Sequence, residues 1–139
     1  MKKPTLIVIT GPTASGKSAL AVEVAHRLHT EIISADSRQI YRGIPIVTAT
    51  PTEEEKEGVK HHLIEILPLD AYYSASEFER DSMAILLELF KEHEAVVVCG
   101  GSMMYVDALC NGIDEMPTVP ASIRESLMRD WNERGDEWL

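Results

Sequence analysis

The 139-residue sequence predicts an α/β fold, a mostly parallel sheet between two layers of helices, on three observations. Strand-like runs alternate with helical periodicities along most of the chain, the pattern of a three-layer α/β/α architecture. The strongest run, Ala95-Val96-Val97-Val98-Cys99, is apolar throughout, as a strand covered on both faces must be. Three loops, 11–18, 36–41 and 100–102, each follow a strand at the end where open α/β sheets bind ligands.

Each element has its own signal. Thr5–Thr10 is rich in β-branched residues and reads as a buried strand. A Gly-rich turn leads into a helix over Gly16–His29, whose apolar positions Leu20, Val24 and Leu28 recur every four residues. Glu31–Ala35 is a second short strand, and Asp36–Ile46 a loop with at most one helical turn. Thr50-Pro51-Thr52 ahead of Glu53-Glu54-Glu55 marks a helix start, the acids lying near the positive end of the helix dipole as a solvated face. His62–Ile66 is the third strand candidate. Ser74 and Glu77 form a capping-box pair that opens a helix over Ala75–His93, buried through Phe78, Ile85, Leu86, Leu89 and Phe90. After Ala95–Cys99, the Gly100-Gly101-Ser102 turn enters a helix over Met103–Cys110, closed by Asn111-Gly112. Pro117–Pro120 breaks the chain. Ser122 and Glu125 form a second capping-box pair for a helix to Glu133, stopped at Gly135. Glu137-Trp138-Leu139 starts a further helix that is cut short, so the chain is expected to be an N-terminal fragment of a longer protein. The expected domains are an α/β core over 1–115 and the beginning of a helical insertion over 116–139.

Composition narrows the function. Hydrophobic residues at 45% and charged residues at 26% match a folded globular chain with a real core. No apolar run is long enough to span a bilayer, and the segment after Met1-Lys2-Lys3-Pro4 is shorter than the apolar region of a signal peptide, so a cytosolic protein without membrane partners is expected. Cys99 and Cys110 have no metal-ligand spacing. The net charge of −10 argues against broad, non-specific nucleic-acid binding, which needs basic surface, but leaves room for a local basic site.

Gly11-Pro12-Thr13-Ala14-Ser15-Gly16-Lys17-Ser18 fits G-x-x-x-x-G-K-[ST] in full, between a strand and a helix. The glycines allow close backbone approach. Successive N–H groups at the helix start cradle phosphate oxygens, Lys17 adds a mobile positive charge, and the Ser18 hydroxyl suits Mg²⁺. The expected fold is therefore P-loop NTPase-like. Asp36, at the ligand-facing end of the second strand, is a candidate general base or metal ligand; a plain N-cap is the alternative. Gly100-Gly101-Ser102 offers a hydroxyl and backbone N–H groups to a phosphate, or is a tight turn with a Ser cap. The tandem His61-His62 points to opposite faces of a strand and suits packing or hydrogen bonding better than one metal ion.

Taken in order, GPTASGKS at 11–18, DSRQIYRG at 36–43, HHLI at 61–64, YSASEFERD at 73–81 and GGSMMY at 100–105 resemble the bacterial tRNA dimethylallyltransferase family, across essentially the whole chain. The resemblance implies transfer of a dimethylallyl group from dimethylallyl diphosphate to the exocyclic amine of an adenosine beside the tRNA anticodon, with release of diphosphate and help from Mg²⁺. On that likeness the P-loop holds a diphosphate, and Asp36 is the general base. Asp36, Ser37, Arg38 and Gln39 meet the tRNA, with Gln39 suited to an adenine edge. Ser102 stands at a family threonine and assists the departing oxygen, and Arg124 helps neutralise the diphosphate. Thr50 stands where a lysine is usual, which weakens backbone contact with RNA, and Met103-Met104 replace a more usual Gly-Leu. Family members are considerably longer, so most of the RNA-gripping surface is expected outside this chain, which is expected to be a monomer with little activity alone. A P-loop kinase of small molecules or nucleotides, or a non-catalytic nucleotide-binding module, would share the fold and the P-loop.

Overall fold

A computed structural model describes residues 3–114, 117 and 119–138, so the terminal Leu139 of the apolar pair lies outside the described residues. Four strands, β1 (Thr5–Ile9), β2 (Ile32–Ser34), β3 (His61–His62) and β4 (Ala95–Cys99), form one parallel sheet in the order β1-β4-β2-β3. The all-apolar β4 is internal, paired with β1 through Thr5↔Ala95 to Ile9↔Cys99 and with β2 through Ile32↔Val97 to Ser34↔Cys99.

Strand alternation divides the core between the two faces of the sheet. On one face Ile33, Val96 and Val98 pack with Phe78 and Leu86 of α3 (Ala75–Leu89) and Tyr105, Ala108 and Leu109 of α4 (Met103–Asn111). The Phe78 and Tyr105 rings stack there with centroids 4.5 Å apart. On the other face Ile32 and Val97 pack with Ala21, Val22 and Ala25 of α1 (Lys17–Leu28) and with Val59. The result is the three-layer α/β/α arrangement.

Several features differ from the sequence reading, each for a physical reason. The stripe Leu20/Val24/Leu28 is not the buried face of α1: Leu20 and Leu28 are exposed, and the contact is made by Ala21, Val22 and Ala25, whose small side chains let the helix lie close to the sheet. The third strand stops at His62 because Leu63 and Glu65 take left-handed φ of 61° and 51°, and the Glu65, Ile66 and Leu67 N–H groups turn back to Gln39 O and Ile40 O. α3 ends at Leu89, and residues 91–92 continue only as turns, Lys91 N–H bonding Glu88 O and Glu92 N–H bonding Leu89 O. The capping boxes at Ser74/Glu77 and at Thr52/Glu55, which opens α2 (Glu53–Lys56), both form with both bonds in place. The one expected at Ser122/Glu125 does not. The first turn of α5 (Ala121–Arg134) closes on Pro120 O, which accepts from Ile123 N–H, so Ser122 lies inside the helix, past the cap position.

α5 buries no residue. Its main packing partner is the 3-10 turn Asp136–Trp138, where the Trp131 indole donates to Asp136 and the Arg134 guanidinium lies over the Trp138 ring. Among the described residues, no helix is long and apolar enough to cross a membrane. The His pair serves the sheet: His61 Nδ1 donates to Val59 O, and His62 Nε2 pairs with Glu31, tying β3 to the start of β2. Burial holds the His61 pKa below the usual imidazole value.

Candidate functional site

The carboxyl ends of β1, β2 and β4 converge on a cavity of about 870 Å³. Its lining includes Thr13–Ser18 from the P-loop, Asp36–Gln39 from the loop after β2, and Gly100–Ser102 from the turn after β4. The three strand-end loops singled out by the sequence therefore share one space. Gly11 and Pro12 form the outer backbone of the P-loop without lining the cavity.

The P-loop is shaped for an anion. Ala14 and the cap residue Gly16 have positive φ, 61° and 85°, a conformation that glycine adopts freely and alanine only at a cost of about 1 kcal/mol. α1 then begins with no side-chain cap bond and no acid in its first turn, so its leading N–H groups meet no competing carboxylate from their own helix. The half-buried Lys17 folds back over the loop, Nζ donating to Pro12 O at 3.1 Å. The same ammonium lies under the turn after β4, about 4.0 Å from where a Cβ on Gly101 would stand.

The other two loops are fastened to each other. Ser102 Oγ accepts from the Ser37 N–H at 2.8 Å and donates to Ser37 Oγ at 3.1 Å, and Ser102 N–H donates to Ala35 O at 3.1 Å. Ser102 thus occupies the cap position of α4, its carbonyl accepting from the Tyr105 and Val106 N–H groups, but its hydroxyl makes no cap bond and serves the loop junction instead. Glycine is required at 100, because a Cβ there would lie 2.1 Å from Ala35 O.

Asp36 has two jobs available to its two oxygens. Oδ1 accepts from the N–H groups of Arg38 and Gln39 at 2.8 and 3.1 Å, so the capping role is real and fixes the carboxylate. Oδ2 makes no hydrogen bond among the described residues, and the half-buried side chain lines the cavity. Cys99 senses the neighbourhood: burial pushes its thiol pKa up, Lys17 partly opposes this, and Asp36 adds to it. Arg38 is exposed at the rim.

Arg124 is not brought to this site. It lies exposed on α5 and does not line the cavity. In its place the sequence reading missed a wall: Val47, Thr48, Ala49 and Pro51 close the side of the cavity, with Glu55 and Glu57 beyond them. The Thr-Ala-Thr-Pro run at 48–51 was the only local signal, and it carries no periodicity. Among the described residues, no cluster of three or more His, Cys, Asp or Glu side chains could hold a metal ion.

Known proteins resemble this chain in sequence and in fold. A family model described as IPP transferase matches residues 39–139. The tRNA dimethylallyltransferase 1 of Bacteroides thetaiotaomicron is 51% identical over 136 residues, spanning 98% of this chain and 44% of that protein. The tRNA dimethylallyltransferase of Cytophaga hutchinsonii is 43% identical, spanning 95% of this chain and 43% of that protein. Among solved structures, the full-length tRNA isopentenylpyrophosphate transferase of Bacillus halodurans aligns with a TM-score of 0.79 at 35% identity, covering 96% of this chain and 44% of that one. A eukaryotic dimethylallyltransferase described as acting on tRNA aligns with a TM-score of 0.76 at 28% identity, covering 96% and 33%. The chain spans less than half the length of the curated relatives it matches.

Proposed function

This chain belongs to the IPP transferase family, and we propose that the protein it forms transfers a dimethylallyl group from dimethylallyl diphosphate to the exocyclic amine of an adenosine beside a tRNA anticodon. The observation that carries the reading is the meeting of an anion cradle and a carboxylate in one cavity, Thr13–Ser18 on one side and Asp36 on the other.

The chemistry follows from that pairing. The diphosphate rests on the leading N–H groups of α1 with Lys17 beside it. The adenosine amine attacks the first carbon of the prenyl chain, a C–N bond forms, and the C–O bond breaks with its electron pair leaving on the diphosphate. Asp36 takes the proton that the amine must lose, through the oxygen not held by the turn. Negative charge grows on the leaving oxygens in the transition state, so Lys17 stabilises that state more than the ground state, and the Ser102 hydroxyl joins it by turning its proton from Ser37 Oγ to the leaving oxygen. A magnesium ion suits the hard oxygen donors here, the Ser18 hydroxyl with the diphosphate itself, and supplies charge neutralisation to the leaving group when bound. Arg38 and Ser37 at the rim meet the RNA. The helix α5 opens a helical insertion, and Arg124 reaches a bound diphosphate only if that helix is carried over the site. The names of the relatives support tRNA as acceptor, and the same reading takes the whole protein to be a cytoplasmic monomer.

The test uses the full-length protein with an anticodon stem-loop. Diphosphate release that requires both dimethylallyl diphosphate and the stem-loop, with a prenylated adenosine in the RNA, is expected. ATP-dependent phosphorylation of a small acceptor without prenyl transfer would replace this reading with a kinase.

A further inference from the structure

Residues 44–50 form a wall of the cavity through Val47, Thr48 and Ala49 while belonging to no strand or helix. Most of the hydrogen bonds of this loop stay inside it: Thr48 N–H to Ile44 O at 3.1 Å, Thr50 N–H to Pro45 O at 2.9 Å, and Thr48 Oγ1 with Thr50 Oγ1 at 2.8 Å. Among the described residues, the only hydrogen bonds from the loop to the rest of the chain run to one side chain, Gln39. Its Nε2 donates to Thr48 O at 3.3 Å and to Ala49 O at 3.1 Å, while its Oε1 accepts from Ser34 Oγ at 3.3 Å. The orientation of the amide is dictated by chemistry. Carbonyl oxygens only accept, so the nitrogen must face them, and the oxygen is left for the hydroxyl of Ser34 at the end of β2. Both amide hydrogens are thereby used. The clamp also holds Ala49 in a left-handed conformation at φ 50°, which nothing about alanine favours. The Gln39 N–H is in turn held by Asp36 Oδ1 at 3.1 Å, so the wall and the carboxylate are fixed by one residue.

We propose that Gln39 is a positioning residue: it fixes the 44–50 loop as the wall against which the acceptor nucleoside lies, and acts on acceptor binding through that loop rather than by reading the base. The acceptor half of this inference rests on the function proposed above; the clamp half rests on the hydrogen bonds alone.

Two measurements on Gln39→Leu, which keeps much of the side-chain volume, removes the three amide hydrogen bonds and leaves those of the backbone, test the two halves separately. In limited proteolysis with thermolysin, which cuts before aliphatic residues, cleavage at Ile46 or Val47 should speed up at least tenfold, with the remainder of the chain cut no faster. In steady-state prenyl transfer by the full-length protein, KM for the stem-loop should rise at least tenfold and KM for dimethylallyl diphosphate stay within twofold. A stem-loop carrying 7-deazaadenosine at the target, which lacks the N7 acceptor that a base-reading glutamine would use, should lose the same factor with wild type and with Gln39→Leu. Unchanged cleavage would overturn the clamp. A 7-deaza penalty present in wild type and absent in the variant would overturn positioning in favour of direct base reading. A wild-type protein that transfers no prenyl group would defeat the functional reading, and the cleavage result would then decide the clamp alone.

Discussion

Replacing Gly100 by alanine tests whether the site is built on the close approach of two strand ends. A Cβ at this position would stand 2.1 Å from Ala35 O and 2.3 Å from Ala35 C, both backbone atoms at the end of β2. No side-chain rotation relieves such a contact, so the two loops must separate by roughly 1 Å, an overpacking that costs about 1–3 kcal/mol or more. The separation strains the bonds that join them, Ala35 N–H to Cys99 O at 2.8 Å and Ser102 N–H to Ala35 O at 3.1 Å, each contributing about 1 kcal/mol. Against this stands the smaller entropy of the unfolded alanine chain, about 0.4–1 kcal/mol in favour of the variant. The balance is a loss of about 3 kcal/mol. For a domain of this size that corresponds to a Tm lower by roughly 10 °C, and in urea to a lower midpoint at unchanged slope. Gly101→Ala is the control: its Cβ would meet nothing nearer than Gly11 O at 3.6 Å, an ordinary contact, and its stability should stay within about 0.5 kcal/mol of wild type. Inorganic pyrophosphate should bind Gly100→Ala more weakly, because the Ser37–Ser102 fastening moves with the backbone. A Gly100→Ala protein as stable as wild type would show that the loops do not meet as described.

Lys17→Ala should weaken pyrophosphate binding about 10- to 100-fold by calorimetry, the range for a lost charge-assisted hydrogen bond, whereas Arg124→Ala on the exposed α5 should leave binding to this chain unchanged. Burial disfavours the charged form of His61, so its folded pKa lies below the ordinary imidazole value of 6.5 and the unfolded chain binds the extra proton. Its contribution to stability is full above pH 6.5 and is lost as pH falls through the lowered folded value, with a slope of at most about 1.4 kcal/mol per pH unit; His61→Gln should flatten that part of the urea-midpoint profile. The two free thiols should differ in alkylation: exposed Cys110 reacts quickly, and Cys99, half-buried with a raised pKa beside Lys17, reacts at least tenfold more slowly and more slowly still with pyrophosphate bound.

What the sequence discloses follows how local each determinant is. β4 was legible to the residue because an all-apolar run between turn signals has one solution in a parallel sheet. The Ser74/Glu77 box was legible because both partners lie within one turn. The short β3 was not, because Leu63 and Glu65 take left-handed backbone without the glycine or asparagine that announces it, and the reason lies in bonds to Gln39 and Ile40 more than twenty residues away. The buried face of α1 was not legible for a similar reason: close packing against the sheet selects Ala21 and Ala25 over the larger Leu20 and Leu28, and that selection is tertiary. At the site, the P-loop and Asp36 are motif residues fixed by their own strand ends. The wall at 47–51 is placed by a side chain reaching across from position 39, and Arg124, carried by resemblance alone, stays on α5 away from the cavity.

In the proposed reaction, a carboxylate fixed by its own turn faces the amine while the diphosphate rests on the P-loop. Asp36→Asn isolates that role of the carboxylate, because the amide oxygen can still accept from the Arg38 and Gln39 N–H groups and keep the turn, while the group that takes a proton is gone. Single-turnover prenyl transfer to an anticodon stem-loop by the full-length protein should slow about 10²–10⁴-fold, with pyrophosphate affinity unchanged. A variant that transfers at the wild-type rate would contradict the account.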